Sequence, residues 1–161
     1  MPDHDIKCLR AAIETALSAR EHGNHPFGAV LADSSGKILL RAENTVVTSR
    51  DITAHAELNL VREATSNYEP EFLATCTLYS STEPCPMCAG GIFWSNIRRV
   101  VYGLSEEGLY EITGDDTEEV LLLSCREVFA QGEKSIEVVG PLLEEKAREP
   151  HLGFWESISE I

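Results

Sequence analysis

Positive charge is scarce in this sequence. Its 161 residues carry 13 lysines and arginines against 27 aspartates and glutamates, a formal net charge of −14. A field of that sign repels long polyanions, and basic residues come only in short pairs such as Arg98-Arg99, so a nucleic-acid partner is not expected. Small neutral substrates are indifferent to the field. No apolar run approaches transmembrane length, so no membrane partner is expected either. The opening residues, Met1-Pro2-Asp3-His4-Asp5, lack the basic stretch and apolar run of a secretory signal. No glycine-rich phosphate fingerprint follows the first strand-like segment, which counts against a doubly wound nucleotide-binding domain. Cysteines number five, an odd count, and two of them form a Cys-x-x-Cys. That pattern points to metal ligation in a reducing cytoplasm rather than to a disulfide scaffold.

What is present suits one globular domain over residues 1–161, with 43% apolar and 25% charged residues. Ile6, Leu9, Ile13 and Leu17 recur at helical spacing, so Asp3 to Gly23 reads as an amphipathic helix. Phe27 to Ala32 and Lys37 to Ala42 read as a hairpin around the turn Asp33 to Gly36. A second helix is expected over Thr53 to Thr65, a strand over Cys76 to Ser80, a helix over Pro86 to Ser95 and a strand over Arg98 to Tyr102. Pro70 reads as a loop, and so does the acidic stretch Gly103 to Asp116. Glu118 to Ala130 reads as a helix whose apolar face includes Val120, Leu121, Leu122 and Leu123. A short strand over Ile136 to Val139 and a helix over Leu142 to Arg148 complete the pattern. Strands alternating with helices argue for an α/β sheet with helices on its faces, and the opening hairpin makes that sheet mixed.

Two short motifs carry chemistry. His55-Ala56-Glu57 opens the second helix and Pro84-Cys85-Pro86-Met87-Cys88 opens the third. One histidine and two cysteines suit zinc, and three protein ligands leave a fourth position for water, whose pKa zinc lowers toward 7. Helix N-termini favour thiolate at Cys85 and Cys88. The two-residue gap lets both sulfurs face one ion. His55 and Glu57 can both reach that ion only from the irregular first turn of their helix. A Cys-x-x-Cys alone would equally fit a redox dithiol or half of a structural zinc site. The pairing with His-Ala-Glu, and the lack of another close cysteine pair, favours a catalytic zinc site with a glutamate that is not a ligand. Cys8, Cys76 and Cys125 sit in apolar patterns and read as buried thiols.

On these motifs the chain resembles the cytidine deaminase-like superfamily, and within it the small bacterial guanine deaminases and other nucleobase deaminases. The resemblance rests on Pro26-Phe27-Gly28-Ala29-Val30, Asn44, Thr53 to Glu57 and Glu83 to Trp94, and weakens beyond about Val101. It implies a three-layer α/β/α sandwich with a five-stranded mixed sheet, a Zn²⁺ cofactor, and a homodimer acting on a small nucleobase. It implies His55, Cys85 and Cys88 as ligands and Glu57 as the proton shuttle of a hydrolytic deamination. Asn44 and the Ala56 N–H would contact the base, with Phe27 and Trp94 lining its pocket. From the residues alone, Asn44 equally suits a turn, and Phe27 and Trp94 equally suit the core.

The choice of base turns on two regions. Guanine to xanthine is the first expectation. By the resemblance Phe27 and Trp94 favour it, and so does Asp116, whose carboxylate can accept N–H groups of guanine although its loop is acidic throughout. Residues 150–161 read as a pocket-closing tail in which Phe154 and Trp155 form the lid. An aromatic pair followed by acid also resembles the small cytosine deaminases of fungi, which would give Glu156 the recognition role. Cytosine or another aminopyrimidine or triazine is therefore the alternative. A tRNA adenosine substrate ranks below both, on charge and on the Phe93-Trp94 pair. A non-catalytic zinc-binding protein also stays open, although Glu57 is present.

Overall fold

The computed structural model describes residues 2–114 and 120–159. In chain order the elements are α1 (Asp3–Glu21), β1 (Gly28–Ala32), β2 (Ile38–Glu43), α2 (Val46–Ser49), α3 (Ala56–Asn67), α4 (Pro70–Leu73), β3 (Thr77–Thr82), α5 (Pro86–Ser95), β4 (Arg99–Leu104), α6 (Glu106–Thr113), α7 (Cys125–Ala130), β5 (Glu137–Val139), α8 (Glu144–Arg148) and α9 (Phe154–Ser159). A single 3₁₀ turn, Glu149–His151, joins α8 to the tail.

Five strands form one mixed sheet in the order β2-β1-β3-β4-β5. β1 runs antiparallel to β2 and β3, and β3, β4 and β5 run parallel. Alternate residues of a strand face opposite sides, and both sides are covered. Ala29, Leu31, Leu78 and Val100 pack beneath α3, α5 and α7, through Ala56, Leu60, Ala89, Ile92 and Phe129. Val30, Ala32, Tyr79 and Val101 pack against α1 and α8, through Leu9, Ala12, Ile13 and Ala147. β1 and β3 are buried along their whole length, as strands covered on both faces must be. The result is the expected α/β/α sandwich.

Two features pin α1 to the sheet. A side chain at Gly28 would lie 2.4 Å from the Ala16 nitrogen, so only glycine allows so close a crossing. Asp5, fully buried, accepts hydrogen bonds from the Tyr79 hydroxyl at 2.6 Å and from both ends of the Arg99 guanidinium at 2.8 and 2.7 Å. Burial alone would raise the Asp5 carboxyl, but the bonds from Arg99 and Tyr79 outweigh it and hold it below the usual range.

The structure departs from the sequence expectations in three places. Pro70 is not in a loop: it starts the single turn α4, where its missing N–H costs nothing. As far as Thr113, the acidic stretch from Gly103 is not a loop either. β4 continues to Leu104, and Ser105 then caps α6 by accepting from Gly108 N at 3.0 Å. Leu109 and Ile112, three apart, turn one face of α6 onto the sheet. Conversely, the helix expected over Glu118 to Ala130 starts at Cys125 among the described residues, which exclude Glu118 and Glu119. Ser124 and Glu127 form a reciprocal capping box that fixes that start. Leu121, Leu122 and Leu123 precede it as exposed chain, 64%, 75% and 43% accessible. Among the described residues no helix is long and apolar enough to cross a membrane.

Candidate active site

The topology collects one end of the sheet into a site. β3 ends beside the start of β1, where Gly28 N donates to Ser81 Oγ at 3.1 Å. The chain leaving β3 leads through Glu83 and Pro84 to α5. The chain leaving β2 leads through Asn44 and α2 to α3. Both helices therefore begin at this end, with His55 the N-cap of α3 and Cys85 the N-cap of α5. Both cap residues have extended backbone, so each side chain hangs off the helix mouth rather than lying on a helical face. Pro86 occupies the first turn of α5, and Cys88 follows one turn in, fully buried. The two helices pack closely: a side chain at Gly91 would lie 2.5 Å from the Leu58 side chain.

His55, Cys85 and Cys88 place their donor atoms within 4.8 Å of one another. His55 Nδ1 lies 3.6 Å from Cys85 Sγ and 3.4 Å from Cys88 Sγ. Tetrahedral zinc, with ligands near 2.0 Å for nitrogen and 2.3 Å for sulfur, requires an N···S separation of about 3.6 Å. The donor set, its spacing and its three-ligand count therefore fit Zn²⁺ with one position left for another group. The hydrogen bond shared with Cys88 and the contact with His55 outweigh burial and draw the Cys85 thiol well below the usual thiol range, favouring the thiolate a metal needs. The same contact with Cys85 raises the His55 imidazole against the opposing effect of burial.

Glu57 lies in the first turn of α3, 6% exposed, within reach of both sulfurs. Burial first, and the Cys85 thiolate second, push its carboxyl up to about 7. A carboxyl poised there can hold or release a proton near neutrality, as general acid–base work requires. Ala56 is fully buried beside it, its N–H in the first turn of α3, where a helix offers no acceptor of its own. Asn44 is buried, and its Oδ1 accepts from Val46 N at 3.0 Å while its backbone N–H donates to the Phe27 carbonyl at 3.1 Å. Its turn role is thus real, and it uses only the amide oxygen.

The tail reaches the same end of the molecule. Trp155 lies 6.2 Å from Phe27 and 5.6 Å from His25 between ring centroids, and Phe154 lies 4.9 Å from Trp155. His25 connects this group to the donors, since burial and then the charge of His55 depress its imidazole. Phe27, Phe154 and Trp155 are therefore assembled within one chain. Trp94 is not: it ends α5, 79% exposed, against Phe93 and Lys134. Glu156 is exposed, and Asp116 lies outside the described residues.

Several residues at this end carried no sequence signal that singled them out. His25 and His151 sit in the aromatic group. Glu106 and Tyr110 of α6 are joined by a 3.0 Å hydrogen bond and feel the charge on Cys85. Only the adjacency of His25 to Pro26-Phe27, and of His151 to the tail, could have suggested the first two. An open cleft of about 510 Å³ between α1 and β2, lined in part by Glu14, Arg41 and Glu43, holds none of the metal donors.

Known proteins agree with this geometry. Residues 2–104 match the family described as the cytidine and deoxycytidylate deaminase zinc-binding region. A probable cytosine deaminase of Schizosaccharomyces pombe is 41% identical over 157 residues, covering 97% of this chain and 95% of that protein. A tRNA-specific adenosine deaminase of Haemophilus influenzae is 40% identical over 104 residues, 65% of this chain and 60% of that one. The solved guanine deaminase of Nitrosomonas europaea superposes with a TM-score of 0.70 at 25% identity, over 89% of this chain and 82% of its own. Such likeness in sequence and fold, with a His/Cys/Cys group in zinc geometry, makes this chain a hydrolytic deaminase of the cytidine and deoxycytidylate deaminase zinc-binding family.

Proposed function

We propose that the chain deaminates a free aminopyrimidine base, converting cytosine to uracil and ammonia. The observation that carries this reading is the tail: Trp155 packs against Phe27 of its own chain and Phe154 against Trp155, while Trp94, the residue expected to line a guanine pocket, is 79% exposed. Similarity to the Schizosaccharomyces pombe protein supports it, because that similarity spans 97% of this chain and so includes the tail.

In this reading His55, Cys85 and Cys88 hold the zinc ion. Bound there, zinc supplies a Lewis acid that makes water a nucleophile near neutral pH. Glu57 takes a proton from water and passes it to the ring nitrogen while the hydroxide adds to the amine-bearing carbon; it then moves the remaining hydroxyl proton to the amine, which leaves as ammonia and leaves a carbonyl. A carboxyl with a pKa of about 7 suits both directions of transfer. The Asn44 amide N–H₂, left over from the Asx turn, donates to the base, and so does the Ala56 N–H. Phe27 and Trp155, packed on each other, cover the base from one side and keep bulk water out.

A second reading, guanine to xanthine, is supported by the fold shared with the Nitrosomonas europaea enzyme and would give recognition to Asp116 and Trp94. Trp94 could then act only where a partner subunit covers it, as in the homodimer the resemblance implies. The test is ammonia release by zinc-loaded protein from cytosine, guanine, ammeline, adenine and cytidine. Turnover of cytosine with little of guanine is expected. Preference for guanine would replace this reading by the second. Silence on every base, with zinc bound, would remove both.

A further inference from the structure

His151 ends the 3₁₀ turn Glu149–His151 and is 1% exposed. Its Nδ1 accepts a hydrogen bond from Trp155 Nε1 at 3.0 Å, and the two rings lie nearly parallel, 12° apart. A ring nitrogen that accepts from an indole N–H carries no proton, so the neutral imidazole carries its proton on Nε2. Burial, with the Arg20 charge adding to it, pushes the imidazolium down to about 4, so the ring is neutral at physiological pH. The Nε2–H is therefore a buried donor of fixed tautomer, and it has no acceptor among the described residues. Leaving such a donor unpaired costs about 1–3 kcal/mol.

The surroundings hold this donor in place against Phe27, a residue the resemblance assigns to the base pocket. Phe27 meets the imidazole edge-on, centroids 5.3 Å apart at 68°. The Phe27 carbonyl binds the backbone of Asn44, which joins the metal-bearing end of the sheet. On the opposite side, Arg20 Nη1 donates to the Pro150 and Leu152 carbonyls, fixing the backbone on either side of His151. Trp155 sets the tautomer, Phe27 the ring plane and Arg20 the main chain.

We propose that His151 is a substrate-recognition residue whose Nε2–H donates a hydrogen bond to a keto oxygen of the bound base, so that the enzyme selects heterocycles bearing a carbonyl as well as the reacting amine. This rests on the nucleobase reading above. A donor cannot satisfy another N–H, so a base with no acceptor at that place leaves the imidazole unpaired and is rejected.

The experiment compares cytosine with 4-aminopyrimidine, which differs by lacking the carbonyl, in wild type, His151→Phe and His151→Gln. The wild type should favour cytosine in kcat/KM. In His151→Phe that preference should fall at least tenfold through a raised KM for cytosine, with zinc content and the constants for 4-aminopyrimidine nearly unchanged. His151→Gln, which keeps an N–H donor, should recover part of it. Equal losses on both substrates would mean that His151 only packs the tail, and would overturn the inference. Should His151→Phe fail to fold, the Nε2–H proton resonance of the wild type gives the second measurement. It should move downfield on adding cytosine and not on adding pyrimidine, and an unmoved resonance would overturn the inference. A wild type inactive on every base would instead defeat the proposed function, and that failure is visible without any variant.

Discussion

His55 and Cys85 are held by the backbone that precedes two helices, whereas Phe154 and Trp155 are held by one another and by rings contributed from elsewhere in the chain. The first arrangement is local. Two N-caps and one residue a turn further on supply every metal donor, and the close packing of α3 on α5 brings them together. The second is long-range, since His25, Phe27 and Arg20 lie more than 120 residues before the tail they touch. A site made of both divides its labour. In the proposed reading the metal end supplies chemistry and the assembled end supplies enclosure and selection.

That division predicts unequal damage. The largest effect should come from the metal end. Cys88→Ser should abolish turnover and lower the zinc content of purified protein from about one ion per chain to near zero, because the fully buried Cys88 sulfur has no substitute at that position. Metal analysis beside an ammonia assay checks it, and retained zinc with retained activity would break the assignment. Next comes Glu57→Gln, which keeps shape and removes the titrating carboxyl. It should leave zinc in place and lower kcat about 10²–10⁴-fold. Normal turnover would take the proton shuttle away from Glu57.

The assembled end should fail more gently. Trp155→Phe keeps an aromatic ring but removes the N–H bonded to His151. Losing one hydrogen bond and part of one ring contact costs about 1–2 kcal/mol, or roughly a tenfold rise in KM, with zinc content unchanged. A fall in kcat as large as that of Glu57→Gln would erase the contrast between the two ends.

The same division explains what could be read from the chain alone. The zinc donors and Glu57 were legible because two tripeptide-scale motifs fix both the residue types and their place at helix starts. The mixed sheet was legible from a hairpin followed by alternating strands and helices. The α6 helix was not, because acidic residues surround the Leu109–Ile112 spacing and the Ser105 cap opens onto Glu106-Glu107 rather than onto an apolar run. The run Val120 to Leu123 misled in the opposite direction: its apolar residues suggested a buried helical face, yet the capping box at Ser124 starts the helix beyond them. His151 carries no sequence signal beyond its place in the tail, since its meaning depends on Phe27 arriving from a distant segment and on Trp155 one helical turn further on.

The smallest expected effect is a matter of pH and isolates the tail from the metal. His151 has its folded-state pKa lowered to about 4, below the ordinary value of 6.5, by burial and then by Arg20. Between those values the unfolded chain binds more protons than the folded one, so this residue contributes stability that is full above about pH 6.5 and is lost as pH falls toward 4. His22 has the opposite sign. Its bond to Glu43 raises its pKa, so whatever it contributes is present at low pH and lost as pH rises, and its full exposure keeps that contribution small. Comparing wild type with His151→Gln at pH 7.5 and pH 5.5 cancels His22 and every other shared group. The wild type should lose about 1 kcal/mol more than the variant on going to pH 5.5, roughly 2–4 °C in Tm. Parallel curves would mean that His151 titrates as it would in the unfolded chain, which is incompatible with a buried ring held by Trp155.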